Sequence, residues 1–161
     1  MKKTIQTISF LCMLAIMAAC GGAKDAKAQD STAVVEETQA NVIADFENDP
    51  QIKVVDNVVM SENLPIVIDF YADWCGPCKQ YAPTFDEVSS KYNGEVLFVR
   101  INVDNYEDIA RQYNIRSIPT TVFVYPGGAV LGAQTGIIDA YQLELLVNQL
   151  IANSAGANMS L

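Results

Sequence analysis

The run Ile66-Val67-Ile68-Asp69-Phe70-Tyr71 constrains the fold more than any other stretch of the chain. It is apolar at nearly every position rather than at alternate ones. That is the pattern of a strand covered on both faces inside a parallel sheet. A parallel neighbour can be reached only through a long crossover, usually a helix. Pro65 opens the run, and a helical stretch over Pro77–Lys91 follows it, with Pro83 inside and Asn93-Gly94 as its stop. The one acid in the run, Asp69, is expensive to bury, which by itself makes it a candidate functional group.

The rest of the chain completes an α/β pattern. Glu37–Phe46 carries helix formers with Val42, Ile43 and Phe46 at helical spacing, and Lys53–Met60 reads as one β-branched strand. Glu95–Val103 reads as a second buried strand and Tyr106–Tyr113 as a short helix. Thr120–Tyr125 and Ala129–Thr135 form a hairpin around Pro126-Gly127-Gly128, and Ala140–Ala152 closes the chain as a helix capped by Asp139. A β-α-β crossover followed by a helix and a hairpin gives a mixed central sheet flanked by helices on both faces. The expected organisation is a segment 1–19, a polar tether 20–36, one folded domain 37–153 and a fraying polar tail 154–161.

The formal charge of the 161-residue chain is −9, from 10 basic and 19 acidic residues. Such a surface is repelled by phosphate backbones, so no nucleic-acid partner is expected. The sequence contains 0 histidines, which removes imidazole general catalysis, Cys-His nucleophile pairs and most zinc sites.

The first segment is Lys2 and Lys3 followed by the apolar stretch Ile8–Ala19, the layout of a secretory signal. The stretch is much shorter than the ~20 residues a helix needs to span a bilayer. Its end, Met17-Ala18-Ala19-Cys20-Gly21, resembles the lipobox of bacterial lipoproteins, with a less usual Met17 at the first position. That resemblance implies lipid on Cys20 and attachment to a membrane. Ordinary cleavage after Ala26-Lys27-Ala28, leaving Gln29 first, is the alternative. Both place the mature protein outside the cytoplasm, in the periplasm or on the outer face of the envelope.

Cys75-Gly76-Pro77-Cys78 lies between the buried strand and the helix. A thiol at a helix N-terminus faces unpaired N–H groups and the positive end of the helix dipole, which favours its thiolate. Pro77 fits the first turn, where its missing N–H goes unused. The first thiol is expected to be exposed and the second tucked behind it. Such a pair passes two electrons by thiol–disulfide exchange and needs no cofactor. A structural staple is the weaker reading, since so short a loop constrains the unfolded chain little. A zinc site lacks a second pair of ligands, so no metal is expected.

Asp69-Phe70-Tyr71-Ala72-Asp73-Trp74-Cys75-Gly76-Pro77-Cys78-Lys79 resembles the active-site segment of the thioredoxin family. Pro83, Ile115-Arg116-Ser117-Ile118-Pro119-Thr120, Pro126-Gly127-Gly128 and Thr135-Gly136-Ile137 resemble that family's further motifs, in order and across the whole domain. The resemblance implies a thioredoxin fold and a protein-disulfide oxidoreductase. It makes Cys75 the nucleophile, Cys78 the resolving thiol and Asp69 the buried carboxylate that moves the Cys78 proton. It makes Pro119 a cis residue facing the cysteines. Trp74, Gly76, Pro77, Ile118, Pro119 and Gly136 become an apolar groove for an extended substrate peptide.

Arg100 stands where the family often has a lysine paired with the buried acid. Because a guanidinium is costly to bury, Arg100 is expected to point outward. Gly76-Pro77 between the cysteines fits a reductant of protein disulfides, and reduction outside the cytoplasm requires a membrane thiol-transfer electron donor. An oxidant or isomerase for secreted proteins, a thioredoxin-like protein dedicated to cytochrome c maturation, and a non-redox assembly partner that docks through the groove are the alternatives.

Overall fold

The computed structural model describes residues 43–44 and 46–157. The secretion segment, Cys20, the tether and most of the expected first helix lie outside the described residues. The element order is β1 (Ile43–Ala44), β2 (Lys53–Val55), β3 (Val58–Met60), β4 (Ile66–Tyr71), α1 (Gly76–Lys91), β5 (Leu97–Asn102), α2 (Glu107–Gln112), β6 (Thr120–Val124), β7 (Val130–Thr135) and α3 (Ala140–Ala157).

Five strands form one mixed sheet in the order β1-β5-β4-β6-β7. β4 and β5 are parallel, as a crossover through α1 requires, and β4, β6 and β7 are successively antiparallel. Alternation along the central strands divides the core in two. Ile66, Ile68, Phe70, Val99, Ile101, Val122 and Val124 pack with Ile109 and Ala110 of α2 and Val59 of β3. Val67, Phe98 and Phe123 on the opposite face pack with Tyr81, Phe85 and Val88 of α1 and Leu143, Val147 and Leu150 of α3. β4 is therefore covered on both sides, which is why its sequence does not alternate.

Three elements differ from the sequence reading. Ile43–Ala44, inside the expected helix, is extended and pairs parallel with Phe98 and Val99 of β5. The open edge of β5 offers a ladder that outweighs weak local helix propensity. Lys53–Met60 is a hairpin rather than one strand, because Asp56 (φ 51°) and Asn57 (φ 62°) make a tight turn. Positive φ at both central residues gives the turn twist that suits a two-residue hairpin loop. The Tyr113 hydroxyl holds this hairpin, accepting from the Val59 N–H (3.0 Å) and donating to the Val59 carbonyl (3.1 Å). The closing helix is capped as expected, with Asp139 Oδ1 accepting from the Gln142 N–H at 2.8 Å. It runs to Ala157 rather than Ala152, since Ser154 is buried and bonds the Leu150 carbonyl.

Candidate active site

β4 ends at Tyr71, and four residues later Cys75 caps the N-terminus of α1. The Cys78 N–H donates to Cys75 Sγ at 3.1 Å, so the first sulfur occupies the place of a capping oxygen. Pro77 lies in the first turn, where its ring costs no hydrogen bond. The two sulfurs are joined at 2.07 Å. Cys75 is 4% exposed and Cys78 1%, so both residues are buried and the first is more covered than the sequence suggested. In the closed disulfide both pack with Ala72, Tyr71, Val103 and Ile118.

The expected groove residues gather around this pair in two groups. Trp74, Gly76 and Pro77 are exposed neighbours of the sulfurs. The Trp74 ring is 71% exposed and pinned at one end, its Nε1–H donating to Asp104 Oδ2 at 2.9 Å. Ile118 packs on the cysteines, and its bond to Pro119 is cis. The Pro119 carbonyl accepts from the Gly136 N–H at 2.8 Å, which ties the last expected groove residue to the loop.

Asp69 is fully buried in the middle of β4, on the face that α1 covers. Its register partners are Arg100 on β5 and Thr121 on β6, and the Thr121 hydroxyl is hydrogen-bonded to Tyr81 of α1 at 2.9 Å. Arg100 does not point outward. Parallel register puts its side chain on the same face as Asp69, and its Nε–H donates to Asp69 Oδ2 at 3.0 Å. The guanidinium lies over the Tyr71 ring, 4.5 Å from the centroid, and keeps 24% of the side chain in solvent. The aromatic face and the remaining exposure offset the desolvation that sequence reasoning judged too costly.

Burial pushes the Asp69 carboxyl up from the ordinary range to about 6, against the opposing pull of Arg100. Its second oxygen, Oδ1, has no hydrogen-bond partner. Burial likewise raises the Tyr81 phenol, so it stays protonated and serves as a hydrogen-bonding group. Asp104 and Tyr71 were not found from sequence. The strand register and the loop after β5 reveal them, and no spacing in the sequence does.

A thioredoxin family model matches residues 50–149. The chain belongs to the thioredoxin family. It is 40% identical over 96 residues to the thioredoxin of Haemophilus influenzae, covering 60% of this chain and 89% of that one. It is 42% identical over 80 residues to a thioredoxin of Synechocystis, covering 50% and 74%. The crystal structure of the reduced thioredoxin pre-protein of Schistosoma mansoni superposes with a TM-score of 0.51 at 38% identity, covering 55% of this chain and 81% of that one. The mixed sheet with helices on both faces is the thioredoxin fold. With its Cys75–Cys78 pair the protein is a thioredoxin-type protein-disulfide oxidoreductase, and protein disulfides are the substrates on which thioredoxins act.

Proposed function

We propose that this thioredoxin works as a reductant of protein disulfides outside the cytoplasm, held to the cell envelope by lipid on Cys20 at the end of a removed signal 1–19 and a tether 20–36. The Cys75 thiolate attacks one sulfur of a substrate disulfide, which leaves one substrate thiolate and a Cys75 mixed disulfide. Cys78 then gives its proton to Asp69 and attacks Cys75 Sγ, releasing the second substrate thiolate. Two electrons have passed to the substrate. A membrane dithiol donor returns them to Cys75–Cys78. Trp74, Gly76, Pro77, Ile118, Pro119 and Gly136 receive the substrate backbone on either side of its cysteine.

The observation that carries the chemistry is Cys75 Sγ at the N-cap of α1, accepting the Cys78 N–H at 3.1 Å. The helix terminus that holds the sulfur also stabilises it as a thiolate and leaving group. The reading of location rests on Lys2, Lys3, the apolar stretch Ile8–Ala19 and the small residues before Cys20.

Two measurements test the proposal. Acid trapping and thiol alkylation in intact cells are expected to find Cys75 and Cys78 mainly reduced, and a mainly oxidised pair would make the protein an oxidant. Fractionation is expected to find the protein with membranes and resistant to salt washing. A mature N-terminus at Gln29 would overturn lipid attachment and leave export intact.

A further inference from the structure

Trp74 is the only tryptophan of the chain, and it stands 71% exposed next to Cys75. An exposed side chain has several rotamers open to it unless something holds it. Here the indole Nε1–H donates to Asp104 Oδ2 at 2.9 Å. The Asp104 N–H donates to Asn102 Oδ1 at 3.0 Å, and Asn102 Nδ2 donates to Asp73 Oδ2 at 3.3 Å. Asp73 is the residue before Trp74. Three hydrogen bonds and the 73–74 peptide link therefore close a ring, and the Asn102 side chain makes two of the three bonds.

The fold fixes Asn102 before it fixes the ring. Asn102 is the last residue of β5, 7% exposed, and faces Tyr71 at the end of the β4–β5 ladder. Its carbonyl accepts from the Asn105 and Tyr106 N–H groups, each at 3.1 Å, which starts the turn into α2. Its two side-chain partners are of opposite kind, one donor and one acceptor, and an amide serves both without adding charge. No cation pairs with Asp73 or Asp104 among the described residues. The two carboxylates repel each other, and the neutral amide joins the segments that carry them.

We propose that Asn102 is a positioning residue for the exchange, holding the Trp74 ring as a fixed wall beside the cysteines, a role that rests on Trp74 being part of the docking groove. Asn102 acts through Asp73 and Asp104, one at each end of the Trp74 arm. A ring already fixed loses little freedom when an extended peptide docks. A ring released from Asp104 must be ordered at that moment, which weakens productive docking by about 2- to 10-fold. Asn102→Asp keeps the size of the side chain and the acceptor for the Asp104 N–H. It removes the donor to Asp73 and sets a third carboxylate between the other two, so the Asp73 end of the arm is driven away and the indole with it.

The test uses the full-length protein, reduced beforehand and freed of reductant, with two readouts. Because Trp74 is the single tryptophan, the decay of fluorescence anisotropy reports this ring alone. Asn102→Asp is expected to add a fast, wide component of ring motion that the wild type lacks. Asp73→Ala removes the same contact from an exposed position, where folding is not at risk, and is expected to add that component to a smaller extent. The second readout is the ratio of the rate constants for an extended peptide disulfide and for hydroxyethyl disulfide, which brings no peptide backbone to the groove. In Asn102→Asp this ratio is expected to fall about 2- to 10-fold. Added to Trp74→Ala, where no ring remains to be held, Asn102→Asp is expected to lower the ratio no further. Wild-type ring motion in either single variant, a wild-type ratio in Asn102→Asp, or an equal fall in the Trp74→Ala background would each overturn the proposal. A wild-type ratio in Trp74→Ala alone would overturn the place of Trp74 in the groove, a result distinct from a ring that matters but is not held by Asn102.

Discussion

Arg100 and Asp69 face each other across the parallel β4–β5 ladder, joined by one hydrogen-bonded ion pair at 3.0 Å beneath α1. The pair is lopsided. Asp69 is fully buried, Arg100 reaches solvent, and only one carboxylate oxygen is bonded. Attraction to Arg100 therefore cancels only part of the desolvation of Asp69, and the carboxyl remains raised to about 6.

Arg100→Ala removes the one interaction with a strong downward pull on that carboxyl. The Asp69 titration is expected to move above 6, and the rise of any Asp69-dependent rate with pH is expected to move with it. The variant also loses the contact with Tyr71, so stability is expected to fall by about 1–3 kcal/mol at neutral pH. Carbon-13 NMR of the Asp69 carboxyl across pH checks the first expectation, and urea denaturation checks the second.

The two cysteines are expected to differ in trapping. Cys75 is the slightly less covered residue of the pair and caps the helix terminus, whereas Cys78 lies inside the first turn. Cys78→Ser is expected to accumulate mixed disulfides with substrate proteins because the second step is blocked, and Cys75→Ser is not. Non-reducing gels after acid quenching decide it, and the opposite pattern would reverse the roles.

Gly128 makes a prediction about packing alone. Its φ is 93°, and an added Cβ would stand 3.1 Å from Val58 Cγ1 and 3.3 Å from Met60 Cβ, on the β3 strand it covers. Gly94 has a similar φ of 83° with open space around it. Both alanine variants carry the backbone cost of positive φ, about 1 kcal/mol, and only Gly128→Ala adds a contact that β3 must yield to. Urea denaturation is expected to find Gly128→Ala the less stable of the two by about 1 kcal/mol or more.

Most of the sheet was legible because burial on both faces leaves an unbroken apolar run, as in Ile66–Tyr71, and because Gly and Pro punctuate its neighbours. The cysteine pair was legible because its position between strand and helix carries its chemistry. The failures share another cause. The extended Ile43–Ala44 depends on an open edge of β5, which local propensity does not encode. The Asp56–Asn57 turn lacks the glycine that usually betrays one, so the β-branched residues around it read as continuous. The inward Arg100 depends on which residue of β5 lies opposite Asp69, and on the half-buried Tyr71 ring over which the guanidinium lies. Side-chain direction in a parallel pair follows from register, and register is a property of the assembled sheet.

Asp69 joins stability to catalysis through one titration. Its folded pKa of about 6 lies above the ordinary value of 3.8, so between those values the native state binds more protons than the unfolded chain. Stability therefore falls as pH rises through that window and levels off above about 6, a loss of about 3 kcal/mol from this group. Asp69→Asn resembles the protonated form at every pH. It is expected to remove this slope, so that its stability relative to the wild type is greater at pH 7.5 than at pH 4, with the disulfide kept closed in both proteins. The same substitution removes the proton acceptor proposed for Cys78. In the wild type, resolution of a Cys75 mixed disulfide is expected to rise through pH 6 as the carboxylate becomes available, and in Asp69→Asn to be slower, by roughly 10²-fold at neutral pH, and flatter across that region. Rapid mixing of a preformed mixed disulfide over pH 5 to 8 separates the two effects. A lost stability slope with wild-type resolution at every pH would leave Asp69 a buried acid with no part in the exchange.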